Sequence, residues 1–302
     1  MASPSLEYAA PSLEHDACRR RRAIGIALLI AASVMWSLSG VAVKVVRVDS
    51  IAFAFWRSAG AALAMLPLAP FASGKLPRPR MMLLSVALYT AVVTLLITAM
   101  TGSSAGTGIL LQYTGPIFCA MFAWMFFRRR VSGRTMLALA VGVAGILVIV
   151  FAGTYDARVI AIGVLSGVAF GGLILVLQRI ESAGNVNTFA VIFLNNLGCT
   201  LLLLPICWGR GVLQMEAWKL LLILATGAVQ LAVPYVLFQL GLRRVGPVEA
   251  SLLILLEPVL NPVWVWLAVG ERPDAATFVG GAAILTAMVL EATKPAGNVS
   301  EV

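Results

Sequence analysis

Apolar runs of about 20 residues, the length at which a helix rising 1.5 Å per residue crosses roughly 30 Å of hydrocarbon, fill this chain almost from end to end. Lipid offers a backbone no hydrogen-bond partner, so a spanning segment must satisfy its own N–H and C=O groups, as a helix or in a closed barrel. Barrel strands need only about ten residues, so runs of this length predict helices. Breaking the chain at charges, prolines and glycine clusters gives ten spans: 24–46, 51–71, 81–101, 105–127, 135–152, 159–178, 188–208, 217–240, 247–269 and 275–292. The connections are too short to hold a soluble domain. Composition agrees: 61% of residues are apolar and only 12% charged, against about a quarter charged in a soluble domain. The expected class is an all-α polytopic membrane protein.

Residues 1–22 read as a disordered tail and 293–302 as a second tail. The cluster Arg19 to Arg22 ahead of an apolar run mimics a signal peptide, but the run is longer than a signal core and lacks an obvious small-residue cleavage pattern. It is therefore expected to stay as the first span. With the N-terminus inside, 15 of the 22 Lys and Arg residues fall on inner segments, among them Arg128, Arg129, Arg130, Arg243, Arg244 and Lys294. Six fall outside: Lys44, Arg47, Arg158, Arg210, Lys219 and Arg272. The positive-inside rule then puts both termini in the cytoplasm. The basic excess is explained as topology, and no nucleic-acid partner is needed. His15, the sole histidine, lies in the tail, and Cys18, Cys119, Cys199 and Cys207 have no metal-type spacing, so neither a metal nor a cofactor is implied.

The two halves echo each other. GILLQYTGPIFCAMFAWMFFRRRVSGR from Gly108 lies over ASLLILLEPVLNPVWVWLAVGERPDAA from Ala250 at a shift of 142, so that Pro116 meets Pro258. Five spans precede the midpoint and five follow, and an odd number per copy turns the second copy upside down in the membrane, as in many secondary transporters. Both stretches have the form small-x-x-L-x-x-x-x-P followed by an aromatic-rich segment. With Leu111 and Pro116 in one copy, Leu253, Glu257, Pro258, Gly270 and Glu271 in the other, and FWRSAGAALAMLP in the second span, the chain resembles the drug/metabolite transporter superfamily, and more narrowly the EamA-type exporters of bacteria. The resemblance implies two EamA repeats, 23–152 and an inverted 153–292, residence in a bacterial cytoplasmic membrane, and efflux of small solutes. One departure is plain: Arg129 stands where Glu271 stands in the other copy.

Two charges lie deep in the spans. Glu257 is near the bilayer centre, where a charge costs roughly 2.5 to 3.5 kcal/mol and must face a cavity or a partner. It reads either as a tie between helices or as a substrate or proton site. Arg57 is at a similar depth and could pair with it, or snorkel to the interface. Pro116, Pro258 and Pro262 delete backbone donors and mark helix breaks at corresponding places in the copies, the best sequence pointer to a midplane site. Glu257, Asn261 and Trp264 share one helix face, and with Trp36, Gln112, Tyr113, Gln230 and Tyr235 they are candidates to line a part-aromatic, part-polar cavity. Ser33, Trp36, Ser37 and Gly40, the stripe Thr90, Thr94, Thr98 and Thr101, and Gly163, Gly167 and Gly171 read as helix-packing faces.

These residues favour a secondary transporter with a small-molecule solute and membrane lipid as partners. It would handle amino acids, related metabolites or planar drugs by alternating access, with Glu257 as the possible proton site. An intramembrane enzyme fits poorly, because Asp16, Asp49, Asp156 and Asp274 all lie outside the spans and Lys44 is the only lysine near one. A non-transporting receptor or scaffold is the other alternative.

Overall fold

The computed structural model describes residues 10–68, 73–127, 133–152, 154–242, 244–245 and 253–292. Several expectations fall outside these described residues: the first nine residues of the tail, Arg128 to Arg130, Arg243, Lys294 with the closing tail, and the start of the ninth span at 247–252. The Pro116 side chain is outside them as well.

The described residues are almost entirely helical. In chain order they form α1 (Ala10–Ser37), α2 (Ser39–Val46), α3 (Ser50–Met65), α4 (Pro79–Gly102), α5 (Ala105–Gln112), α6 (Gly115–Phe127), α7 (Gly133–Ala152), α8 (Ala157–Ser182), α9 (Thr188–Arg210) and α10 (Ala217–Ala225). A π-helical segment (Thr226–Ala232), α11 (Val233–Leu242), α12 (Leu256–Val269) and α13 (Ala275–Ala292) complete the set. α1 starts at Ala10, inside the segment expected as a tail, where Leu13, Glu14, Ala17 and the arginines are all good helix formers.

Among the described residues, six helical stretches are long and apolar enough to cross a membrane: Arg19–Val46, Pro79–Gly102, Ala105–Phe126, Ala157–Ile180, Thr188–Arg210 and Ala217–Phe238. Ser50–Met65, Met136–Ala152, Leu256–Val269 and Ala275–Leu290 are apolar but shorter. α3 stops at Met65 rather than at the expected 71, because Pro67 and Pro70 cannot continue a helix. Large apolar side chains point outward all round the bundle, Phe151 at 82% exposure among them, as expected of a surface solvated by acyl chains.

The breaks have local causes. α5 and α6 part at Tyr113–Thr114, immediately ahead of Pro116; α12 begins after Leu255, immediately ahead of Pro258. Tyr113 (φ −67°, ψ −1°) and Leu255 (φ −62°, ψ −10°) have nearly the same backbone and occupy matched positions at the 142-residue shift. Pro262 lies inside α12 without ending it. In the π segment, Pro234 supplies no N–H to the Gln230 carbonyl, and the Val233 N–H reaches back to Ala228 instead, which widens the turn.

Helix packing is nearly symmetric under exchange of the halves. α7 packs on α13, α3 on α9 and α5 on α12, each pairing corresponding spans. α4 lies on α8 as α11 lies on α1; α5 and α6 lie on α8 as α12 lies on α1 and α2; and α3 lies on the π segment as α9 lies on α4. Glycine permits the closest of these contacts. A Cβ on Gly280 of α13 would sit 2.5 Å from the Gly145 carbonyl oxygen of α7, and one on Gly171 of α8 would sit 2.7 Å from both the Gly115 carbonyl and the Cys119 amide. The Gly163–Gly167–Gly171 stripe thus faces α5 and α6. Replacing Gly280 by leucine should destabilise the protein by about 1 to 3 kcal/mol through overpacking. Thermal unfolding in detergent is the readout, with Gly209→Ala, where no neighbour lies within 4 Å, as the unaffected control.

Candidate functional site

α3 and α12 bring the two deep charges towards the middle of the bundle. Arg57 is the eighth of the sixteen residues of α3 and is only 6% exposed. It lies within Coulombic range of Tyr89, Glu257 and Tyr235. Of the two readings of Arg57, pairing with Glu257 or snorkelling, neither is seen as a direct ion pair or an exposed end: Arg57 has no hydrogen-bond or ion-pair partner among the described residues, and its Nε is fully enclosed without an acceptor. Glu257 instead accepts a 2.7 Å hydrogen bond from the Tyr113 hydroxyl. The break at Tyr113 aims that ring across to the other half, where its hydroxyl also approaches the Ile254 carbonyl at 3.4 Å.

The aromatic members converge as well. Trp36 packs edge-on against Tyr235, with centroids 5.2 Å apart, and lies 5.7 Å from the Phe238 ring. Tyr235 and Phe238 line a cavity of about 150 Å³ between α4, α8, α9 and α11, together with Tyr89, Asn195 and Asn196. The rest of its wall is mainly apolar, from Leu173 and Ile192 to Ile180 and Val186 near the 183–187 connection. The Tyr89 hydroxyl donates to Asn196 Oδ1 at 2.8 Å, and Ser85 donates to Asn195 Oδ1 at 3.0 Å, so α4 and α9 are joined by two buried polar pairs.

Two expected cavity residues do other work. Asn261 is fully buried, and its Nδ2 donates at 2.9 Å to the Ser37 carbonyl, at the break between α1 and α2. Trp264 Nε1 donates to Ser37 Oγ, also at 2.9 Å. One turn beyond Glu257 the same face of α12 therefore meets α1, because the break there frees a carbonyl that needs a donor. Gln112 has no hydrogen bond to the group among the described residues. Gln230, in the π segment, has its Oε1 buried and unpartnered. Of the threonine stripe, Thr90 and Thr98 bond back to carbonyls of their own helix, which is a packing role.

Tyr89, Asn195, Asn196 and Phe238 were not anticipated. The adjacent amides Asn195 and Asn196 in an apolar run were the available signal. Tyr89 gave none, since it sits one residue outside the threonine periodicity.

The two ends of the bundle differ. At the end holding the 183–187 connection, a single backbone bridge joins Lys75 to Val186, flanked by Lys75 N–H to Asn185 O at 2.6 Å and Asn187 N–H to Lys75 O at 3.0 Å. The opposite end is tied by side chains. Lys44 Nζ meets Glu271 at 2.7 Å and the Ser103 carbonyl at 2.6 Å, and Glu271 also accepts from the Ala105 amide, in the first turn of α5, at 2.8 Å. Hydroxyls of Ser104, Thr107 and Thr277 continue the network at 2.7 and 2.9 Å. Asp274 accepts from the Thr154 amide and hydroxyl and from the Thr277 amide. Burial alone would raise the Asp274 carboxyl, but these hydrogen bonds outweigh it and hold it below the usual aspartate range. Glu271, known from sequence only as half of a Gly-Glu pair, is the hub of this end.

Residues 23–151 and 158–292 each match the EamA-like transporter family. An uncharacterized transporter of Archaeoglobus fulgidus is 27% identical over 268 residues, covering 88% of this chain and 95% of that one. The pseudopaline exporter CntI of Pseudomonas aeruginosa is 27% identical over 186 residues, 60% of this chain and 63% of its own length. A solved crystal structure superposes with a TM-score of 0.59 at 16% identity, covering 88% of this chain and 97% of that one, a likeness of fold.

The closed end generates a measurable coupling. Lys44 and Glu271 are 16% and 26% exposed, so solvent screens them only partly, and removing either partner strands the other. Melting of Lys44→Met, Glu271→Gln and the double mutant should give a double-mutant-cycle coupling of about 1 kcal/mol or more; additivity would show that the contact contributes nothing.

Proposed function

The chain belongs to the EamA-like transporter family, and on that premise we propose that it is a ten-span secondary transporter exporting small amphipathic metabolites, amino acids or related compounds, from the cytoplasm. The observation that carries this is the polar and aromatic group of Arg57, Tyr89, Tyr113, Tyr235 and Glu257, with both deep charges, in the interior of the bundle. It lies beside a cavity leading towards one end, while the other end is held shut by the Lys44–Glu271 network. Intramembrane ionisable groups are expensive and mark solute or ion pathways by default. The relative in Pseudomonas, itself named an exporter, supports the direction.

Several observations support two inverted five-helix repeats, 23–152 and 153–292, as the moving parts. Packing partners exchange when the halves are swapped, and the helix breaks at Tyr113 and Leu255 occupy corresponding places. The 15-to-6 distribution of basic residues supports an orientation with both termini and the 183–187 connection in the cytoplasm, and bacterial and archaeal relatives support a bacterial cytoplasmic membrane. The cavity then faces the cytoplasm, and the Lys44–Glu271 end faces outward, closed. In this state a solute loads from inside. Rocking of the repeats breaks the outer network and joins the inner helices.

Glu257 is the proton site of the cycle. Its carboxylate is held by Tyr113 from the first repeat, so protonation alters a contact that crosses between the repeats. A proton entering from outside and a solute loaded from inside would use opposite states of one acid, which is the logic of exchange.

In everted vesicles, uptake of a transported amino acid should rise when a pH gradient, acidic inside, is imposed. Glu257→Gln should lose that response and at least about tenfold of the flux. Uptake indifferent to the gradient in both proteins would remove the proton role and leave export standing.

A further inference from the structure

Arg57 is a buried charge with no hydrogen-bond or ion-pair partner among the described residues. A guanidinium stays protonated throughout the accessible pH range, so it cannot shed its charge on burial as a lysine can. It carries five N–H donors and no acceptor, and leaving them unmet in an apolar interior is costly. Yet no carboxylate, hydroxyl or carbonyl among the described residues engages it. The nearest candidate acid, Glu257, is committed to Tyr113.

Nor can Arg57 withdraw. Its helix is pressed against the junction of α10 and the π segment: a Cβ on Gly227 of the π segment would strike the Arg57 carbonyl, and one on Gly60, three residues further along α3, would strike the Leu224 carbonyl of α10. The side chain is anchored at mid-helix while its N–H groups wait for an acceptor.

The surroundings say where the acceptor comes from. Tyr89 and Tyr235, both within Coulombic range of Arg57, are also walls of the cavity. Tyr89 is fixed by Asn196 and Tyr235 by Trp36, so the approach to Arg57 is preformed and aromatic.

We propose that Arg57 is the carboxylate anchor of the transported solute. The solutes of this protein are then organic acids and zwitterions of the amino-acid type, with an apolar body against Leu173 and Ile192, and simple amines and cationic drugs are excluded. The planar fork of a guanidinium matches the two oxygens of a carboxylate in a bidentate pair, which a lysine would not reproduce. This rests on the export reading above and names the chemistry of its solute.

The test compares matched ligands on the purified full chain in detergent. Each proteinogenic amino acid is paired with the amine left by its decarboxylation, and 3-phenylpropionate and sodium chloride serve as anion controls. Melting temperature is the readout. At least one amino acid should stabilise the wild-type protein where its amine, at tenfold higher concentration, does not. Arg57→Gln should abolish the difference, and Arg57→Lys should weaken it at least tenfold in apparent affinity.

Stabilisation by amines equal to that by acids, a preference that survives in Arg57→Gln, or protection by chloride with nothing added by any carboxylate would each overturn the proposal, as would the absence of any acid preference across the panel. Vesicle uptake of the same compounds separates the two readings: flux of a solute without a carboxylate sinks the anchor and leaves export intact, whereas carboxylate binding without flux sinks export and leaves the anchor.

Discussion

A backbone carbonyl freed inside a membrane protein has no water to turn to, and this requirement organises the centre of the molecule. The breaks between α1 and α2 and ahead of α12 release carbonyls at Ser37, Leu253 and Ile254. Side chains from the opposite half meet each of them: Asn261 reaches Ser37, Ser33 reaches Leu253 and Tyr113 approaches Ile254. Local helix breaking thereby becomes contact between the halves. Trp264, bound to Ser37 Oγ, tightens the same seam.

That seam gives the bundle a rigid centre line with different ends. Tyr113 links the seam to Glu257, and the cavity lies to one side of it, where Tyr89–Asn196 and Ser85–Asn195 join α4 to α9 and Met82, Val176, Ile180 and Val191 pack α4, α8 and α9 together. One end is tied by charge and the other by a short backbone bridge. The packing maps onto itself when the halves are exchanged. The π segment between α10 and α11 departs from that symmetry, and it lies directly against Arg57.

Much of this was legible in the residues. Helical class, family and the matched breaks followed from apolar run length and from prolines recurring at the 142-residue shift. Within the site, Tyr113, Glu257, Trp36 and Tyr235 were named and do come together. Asn261 and Trp264 were assigned to the same face as Glu257, but helical periodicity says only which residues share a face. It cannot say that a broken neighbour would present a carbonyl to that face one turn later. Similar depths left pairing of Arg57 with Glu257 open, yet depth fixes one coordinate of three, and Glu257 takes its hydrogen bond from Tyr113. Tyr89 and Asn196 escaped notice because each looks ordinary until α4 and α9 are laid side by side.

The sequence by itself determined what lipid enforces locally: which segments are helical, where proline must interrupt them, how basic residues distribute, and that two copies of one pattern make up the chain. Those properties depend on a residue and its near neighbours, and the penalty for an unsatisfied backbone in hydrocarbon leaves little choice. Tertiary structure alone decided which buried polar group answers which. The hydrogen bonds that settle this join residues more than a hundred positions apart, and every candidate donor had several acceptors at the same depth. Arg57 is the clearest instance, because its lack of a hydrogen-bond or ion-pair partner among the described residues is a property of every helix around it.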